Sequence, residues 1–226
     1  MKKLLSVSIV MAALCAIGAS AQAQDAKAGD AAAGRKKVDM CIGCHGIDDY
    51  RASFPEIYRV PKLAGQNAKY IAAALGEYKK GDRRYPTMRA VAASLSDQDI
   101  ADVAAFYEQQ GKAEGASAFS SSAPAPSAAV AELLKKGNCA SCHGENFNKP
   151  IDPSYPKLAG QHPDYLYAAL KAYQTSNNPQ IGRNNAIMMG MAKPFTHAEL
   201  HQLTEYIASL PGDLKTVEQS HFRHDE

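Results

Sequence analysis

Cys41-Ile42-Gly43-Cys44-His45-Gly46 and Cys139-Ala140-Ser141-Cys142-His143-Gly144 are the stretches on which the reading of this 226-residue chain turns. Working outward from them, Pro61-Lys62-Leu63-Ala64-Gly65-Gln66 returns unchanged as Pro156-Lys157-Leu158-Ala159-Gly160-Gln161. Tyr70, Ala74, Leu75 and Tyr78 then match Tyr165, Ala169, Leu170 and Tyr173, and Ser96-Asp97-Gln98-Asp99 matches Thr196-His197-Ala198-Glu199. The offset between copies runs 98, 95, 100, so the halves differ by small loop insertions. A unit repeated at this length is a duplicated domain. Its expected bounds are residues 24–115 and 128–226, joined by a charge-free Ala/Pro/Ser linker at 116–127.

The first 23 residues stand apart. Lys2 and Lys3 precede an apolar run, and Ala21 and Ala23 form an A-x-A site, the pattern of a secretory signal peptide cleaved after Ala23 or Ala21. Its removal takes Cys15 and two lysines, leaving 23 basic and 23 acidic side chains and four cysteines, all paired. With 46% hydrophobic and 21% charged residues, the profile is that of a soluble globular protein. The formal net charge of +2 excludes a nucleic-acid binder that relies on bulk positive charge. No later run is long and apolar enough for a membrane helix, so any membrane association is peripheral.

Each copy reads as helix, cysteine motif, loop, helix, loop, helix. Helices are expected near 28–41 and 128–139, over 67–79 and 163–175, and after the Ser96 and Thr196 caps, with Pro163 at a first helical position. No segment shows strand alternation. The expected fold is all-α, twice.

A Cys-x-x-Cys pair serves several chemistries. A thioredoxin-like redox pair needs a βαβ setting, and a zinc site needs a second ligand pair in the same domain; neither is present. The adjoining histidine makes the pentapeptide a covalent attachment site for c-type haem. Cys41 and Cys44, and Cys139 and Cys142, stand about one helical turn apart, in reach of two vinyl groups on one porphyrin edge. His45 and His143 then face the iron as proximal ligands. A distal ligand from the same domain leaves Met88 in the first copy, because Met40 abuts Cys41; it lies in a loop stiffened by Pro86. In the second copy Met188, Met189 and Met191 compete. Met88 stands eight residues before Ser96, and Met188 eight before Thr196, so register selects Met188 and leaves core packing to Met191 and Met189. A His/Met pair closes the iron to exogenous ligands and suits electron transfer.

Together these residues resemble the class I cytochromes c, and among them the dihaem cytochrome c4 family, over essentially the whole exported chain. The resemblance implies two small helical domains with facing haem edges and two haem c groups. It implies a periplasmic role in passing single electrons from a quinol-oxidising complex towards a terminal oxidase. It also implies that the carbonyls of Pro61 and Pro156 accept the second N–H of each proximal histidine. Residues 47–60 are a longer and more charged loop than the family pattern, and the linker is long for a tightly docked pair.

Lys79, Lys80, Arg83, Arg84 and Arg89 crowd around Met88 with Asp82 the one acid among them. The expectation is either a basic collar that steers an acidic partner or a solvated loop. His162, His197, His201, His221 and His224 are read as surface histidines, although His197 and His201 have a spacing that zinc accepts. Two rivals to a free electron carrier are a dedicated cytochrome subunit of a dehydrogenase or oxidase and a dihaem peroxidase. Two alike copies, each with a methionine in place, disfavour the peroxidase.

Overall fold

The computed structural model describes residues 28–113 and 123–218. The expected signal segment, most of the linker and the His221 to Glu226 tail lie outside the described residues. The first domain runs α1 (Ala31–Arg35), α2 (Asp39–His45), β1 (Arg51–Ala52), β2 (Tyr58–Arg59), α3 (Ala68–Lys80), α4 (Pro86–Ala93) and α5 (Asp97–Ala113). The second runs α6 (Ala128–Gly137), α7 (Ala140–His143), α8 (Pro163–Gln174), α9 (Ala186–Ala192) and α10 (His197–Ser209). The fold is all-α and duplicated, with one small departure. Residues 47–60, read as a loop, hold a two-stranded antiparallel hairpin in which Arg51 pairs with Arg59 and Ala52 with Tyr58.

Local chemistry accounts for the helix ends. Pro163 occupies the first turn of α8, where its missing N–H costs nothing. Thr196 and Glu199 form a capping box on α10, and Ser96 and Asp99 exchange the same pair of bonds at α5. The first opening segment, expected as one helix, breaks at residues 36–38; the second is one helix, α6, which ends at Asn138, whose φ of 43° is left-handed.

The larger departure is at the methionines. Met88 sits in the first turn of α4 and Met188 in the first turn of α9, not in loops. Pro86 is itself a first-turn residue, so the proline expected to stiffen a loop starts a helix. In α9 the Asn185 side chain caps the Met188 N–H at 3.1 Å. Met191, assigned to packing, is 36% exposed.

One core gathers Val38, Ile42, Ile71, Leu75, Ile100, Val103, Phe106 and Tyr107. The other is built from Leu133, Phe195, Leu200 and Leu203 beside Phe147, Leu166, Ile207 and Leu210. The domains dock through a pseudo-two-fold set of contacts. Arg83 and Arg183 pair as an antiparallel bridge, flanked by Arg84 N–H to the Gly182 carbonyl (3.0 Å) and Asn184 N–H to the Asp82 carbonyl (2.8 Å). The hairpin adds Arg59 on Asp164 and an ion pair between Glu56 and Lys171. Beyond α10 the chain returns to the first domain, where the Lys215 N–H donates to the Ala64 carbonyl at 3.0 Å.

These contacts correct the collar. Arg83 is 4% exposed, bonded to Glu77 at 2.5 Å and stacked on Tyr70 and Tyr78. Arg84 donates to the Ser176 and Asn178 carbonyls of the second domain. Lys79 is tied to Asp97 and the Leu95 carbonyl. Arg83 and Arg84 thus belong to the joint between the copies, whereas Lys79, Lys80 and Arg89 stay exposed.

Candidate haem-binding sites

Both cysteine pairs sit on short helices that end at the histidine, α2 in one domain and α7 in the other. The helical turn sets Cys41 beside Cys44, and Cys139 beside Cys142, on one side of the backbone. All four are half-buried, and no disulfide joins them. Burial pushes the Cys41 thiol up to about 11 and raises Cys139.

His45 Nδ1 lies 2.8 Å from the Pro61 carbonyl oxygen, and His143 Nδ1 lies 3.1 Å from that of Pro156. A carbonyl only accepts, so each ring carries its proton on Nδ1. Burial lowers the pKa of both rings, with the proline bond working the other way, and both are neutral at pH 7. The Nε2 lone pair is therefore available, and no described residue bonds to it. Gly65 and Gly160, at φ of 86° and 72°, turn the chain after these prolines in the left-handed region that glycine adopts without strain.

Met88 is half-buried and rests on the core that also holds Cys41. Met188 and Met189 are both half-buried. The tyrosine-stacked arginines supply a second register: Met88 lies five residues after Arg83, and Met188 five after its bridge partner Arg183. Each arginine also covers the equivalent tyrosines, Tyr70 and Tyr78 or Tyr165 and Tyr173.

This donor set fits haem c. Each site has two unbridged thiols on one helical turn, and a neutral imidazole anchored at Nδ1. In the first domain the buried Tyr107 hydroxyl stands beside the Cys41 sulfur with no hydrogen-bond partner among the described residues. Its counterpart in the second copy is Ile207.

Other residues fall outside the sites. His162, read as a surface histidine, is 8% exposed, and burial beside Lys62 and Arg59 lowers its pKa to about 4. His197 and His201 both pack on Tyr167. Sequence reasoning passed over Gln66, Gln161 and the arginine–tyrosine stacks. The signal available was their identity in both copies, but their role needs the docked partner.

A family model described as Cytochrome c matches residues 31–110 and again residues 127–211. Cytochrome c4 of Azotobacter vinelandii is 30% identical over 200 residues, covering 81% of this chain and 90% of that one. A thiosulfate dehydrogenase electron acceptor of Stutzerimonas stutzeri is 31% identical over 180 residues, covering 75% and 78%. The crystal structure of reduced recombinant cytochrome c4 from Pseudomonas stutzeri superposes with a TM-score of 0.60 at 30% identity, covering 81% of this chain and 100% of that one. The chain belongs to the cytochrome c family, as a dihaem class I member of the cytochrome c4 type that binds one haem c covalently at each Cys-x-x-Cys-His site.

Proposed function

We propose that this electron-transfer cytochrome is exported to the periplasm and carries single electrons between redox proteins, from a quinol-oxidising complex towards a terminal oxidase, without substrate chemistry of its own. When bound, each haem supplies a one-electron iron couple. The chain's residues do the rest. Cys41 and Cys44, and Cys139 and Cys142, fix the porphyrin edge. His45 and His143 would hold the iron through Nε2, kept in orientation by Pro61 and Pro156. Met88 and Met188 would supply its second protein ligand, and the apolar cores would keep water out.

The observation that carries this reading is the repetition: the same histidine anchor and a methionine in the same register stand in both copies. Neither copy is set apart as a reactive centre. Export rests on the basic, apolar and A-x-A pattern of residues 1–23, and no helix among the described residues is long and apolar enough to cross a membrane. A second reading is favoured by the relative named as a thiosulfate dehydrogenase electron acceptor: a dedicated acceptor for one dehydrogenase.

Ligation is tested by carbon monoxide. Met88→Ala and Met188→Ala should each open one of the two haems to it, whereas Met189→Ala should leave both closed. An open haem in Met189→Ala would move the second ligand by one residue and end the register argument. Reduction by quinol-oxidising membranes, compared with reduction by a purified thiosulfate dehydrogenase, separates the carrier from the dedicated acceptor.

A further inference from the structure

At the centre of the domain interface the two Pro-Lys-Leu-Ala-Gly-Gln stretches meet, and each glutamine reaches into the other domain. Gln161 Oε1 accepts from the Lys62 N–H at 3.0 Å, while its Nε2 donates to the Lys62 carbonyl at 3.0 Å. Gln66 treats Lys157 the same way, at 2.9 and 3.0 Å. Both glutamines are buried, 3% and 4% exposed. A carboxamide laid along one residue's N–H and C=O satisfies both backbone groups as a strand partner would.

Which peptide is held gives the contact its consequence. The Lys62 N–H and the Pro61 carbonyl are two ends of one peptide unit, and that carbonyl is the acceptor for His45 Nδ1–H. A chain of hydrogen bonds therefore runs from His45 through the 61–62 peptide to Gln161 of the other domain. The mirror chain runs from His143 through the 156–157 peptide to Gln66. A peptide whose N–H is engaged is more polarised, and its oxygen accepts more strongly; linked bonds of this kind reinforce one another by roughly 10–30%. A stronger acceptor at Nδ1–H makes the imidazole a better donor at Nε2.

We infer that Gln66 and Gln161 are positioning residues that act across the domain boundary, each setting the orientation and donor strength of the histidine in the domain to which it does not belong. Docking of the domains and the redox poise of both centres are then one coupled property. The inference rests on His45 and His143 being axial ligands. Each glutamine oxygen also makes a bond within its own domain. Gln161 Oε1 accepts the His162 N–H, and Gln66 Oε1 the Asn67 N–H, both at 3.0 Å and at the starts of α8 and α3. A purely local role would perturb the glutamine's own domain; the coupling acts on the other.

The test uses the full holoprotein. Gln161→Leu and Gln66→Leu are titrated electrochemically while NMR follows each domain's resonances separately, and amide exchange is read at Lys62 and Lys157. A stronger histidine donor favours the ferric state, so Gln161→Leu should raise the potential of the first domain's centre and leave the second nearly unmoved. Gln66→Leu should do the reverse. The Lys62 amide should exchange about fivefold faster in Gln161→Leu, the loss expected for one neutral hydrogen bond. A shift confined to the substituted glutamine's own domain overturns the inference in favour of a helix-start effect, and equal shifts of both potentials overturn it in favour of general undocking. Should the leucine variants not fold, Gln161→Glu keeps the acceptor for Lys62 and should leave the first potential unchanged or lower it; a rise overturns the inference. Failure of the ligation reading would show in the unsubstituted protein, as a spectrum lacking low-spin bands, before any variant is compared.

Discussion

The first and second domains follow one order of helices but close their terminal helix crossing with different materials. In the first, the chain before α2 lies almost on the backbone of α5. A Cβ added to Gly29 or Gly34 would come 2.1 Å from the carbonyl oxygen of Ala101 or Asp102. Asp102, 3% exposed, seals this contact by accepting from the Asp30 N–H, Gln98 Nε2 and Lys37 Nζ at 2.7–2.9 Å. In the second, the crossing is filled by side chains, with Leu133 against Phe195, Leu200 and Leu203. Seven residues before the first cysteine stands buried Gly34 in one copy and exposed Glu132 in the other. The cysteine helix needs a fixed platform, and either close backbone contact or a leucine layer provides one. They differ in tolerance, because backbone cannot change rotamer to make room.

The largest expected effect follows from that difference. Gly34→Ala should destabilise the first domain by about 3 kcal/mol, the upper end for overpacking against backbone that cannot yield. Glu132→Ala in the second should stay within about 0.5 kcal/mol. Thermal unfolding of the two holoproteins measures both. Equal losses would mean that the two crossings share a mode of packing and that the contrast is false.

An intermediate effect is expected where the copies differ in loop length. Fourteen residues (47–60) separate Gly46 from Pro61, and eleven (145–155) separate Gly144 from Pro156. The longer stretch forms the hairpin that grips α8: Asp164 accepts from the Arg59 backbone N–H at 3.0 Å and from its guanidinium at 3.1 Å. Burial works to raise the Asp164 pKa, and the Arg59 bonds more than offset it, holding the carboxylate charged. Asp164→Ala should cost about 1–2 kcal/mol, the worth of charged hydrogen bonds that are partly open to solvent. It should also speed amide exchange within the hairpin more than in either core. Unchanged exchange at Arg59 would show that the hairpin holds its shape without the second domain.

How much of this was legible depends on how local the cause is. The cysteine motifs, the Pro163 helix start and both capping pairs are set within a few residues, and the sequence states them directly; the proline anchors, 16 and 13 residues from their histidines, follow only from the family resemblance. The short helices α4 and α9 were missed because seven or eight residues leave little room for helical periodicity, and Pro86 reads equally as a loop residue or a first-turn residue. The hairpin has two residues per strand, too few for alternation to register. Arg83 and His162 read as surface residues because polarity is all that the linear chain reports. Their burial follows from neighbours a hundred residues away. Gln66 and Gln161 lay in plain view as an identical pair, yet only the docked structure says what each one touches.

The smallest expected effect concerns the feature that the copies share most closely. Both last helices start with a hydroxyl and an acid, but the acids are held differently. The Lys37 side chain, ahead of Ser96, leads in lowering Asp99, whereas the Thr196 backbone N–H leads Lys136 and the Thr196 hydroxyl in lowering Glu199 to about 2. A carboxylate depressed in the folded state stabilises fully above its unfolded value, near 4.5 for Glu199, and loses that contribution as pH falls towards about 2. Thr196→Ala removes the cap hydroxyl and should cost about 1 kcal/mol at pH 7, keeping most of the acid dependence because the backbone N–H and Lys136 still hold the carboxylate. Glu199→Gln should instead flatten the fall in stability of the second domain between pH 5 and pH 2. Melting temperatures recorded across that window distinguish the two variants. If Glu199→Gln falls in parallel with the unsubstituted protein, the acid sensitivity of the second domain lies elsewhere, and the likeness of the two caps is one of geometry alone.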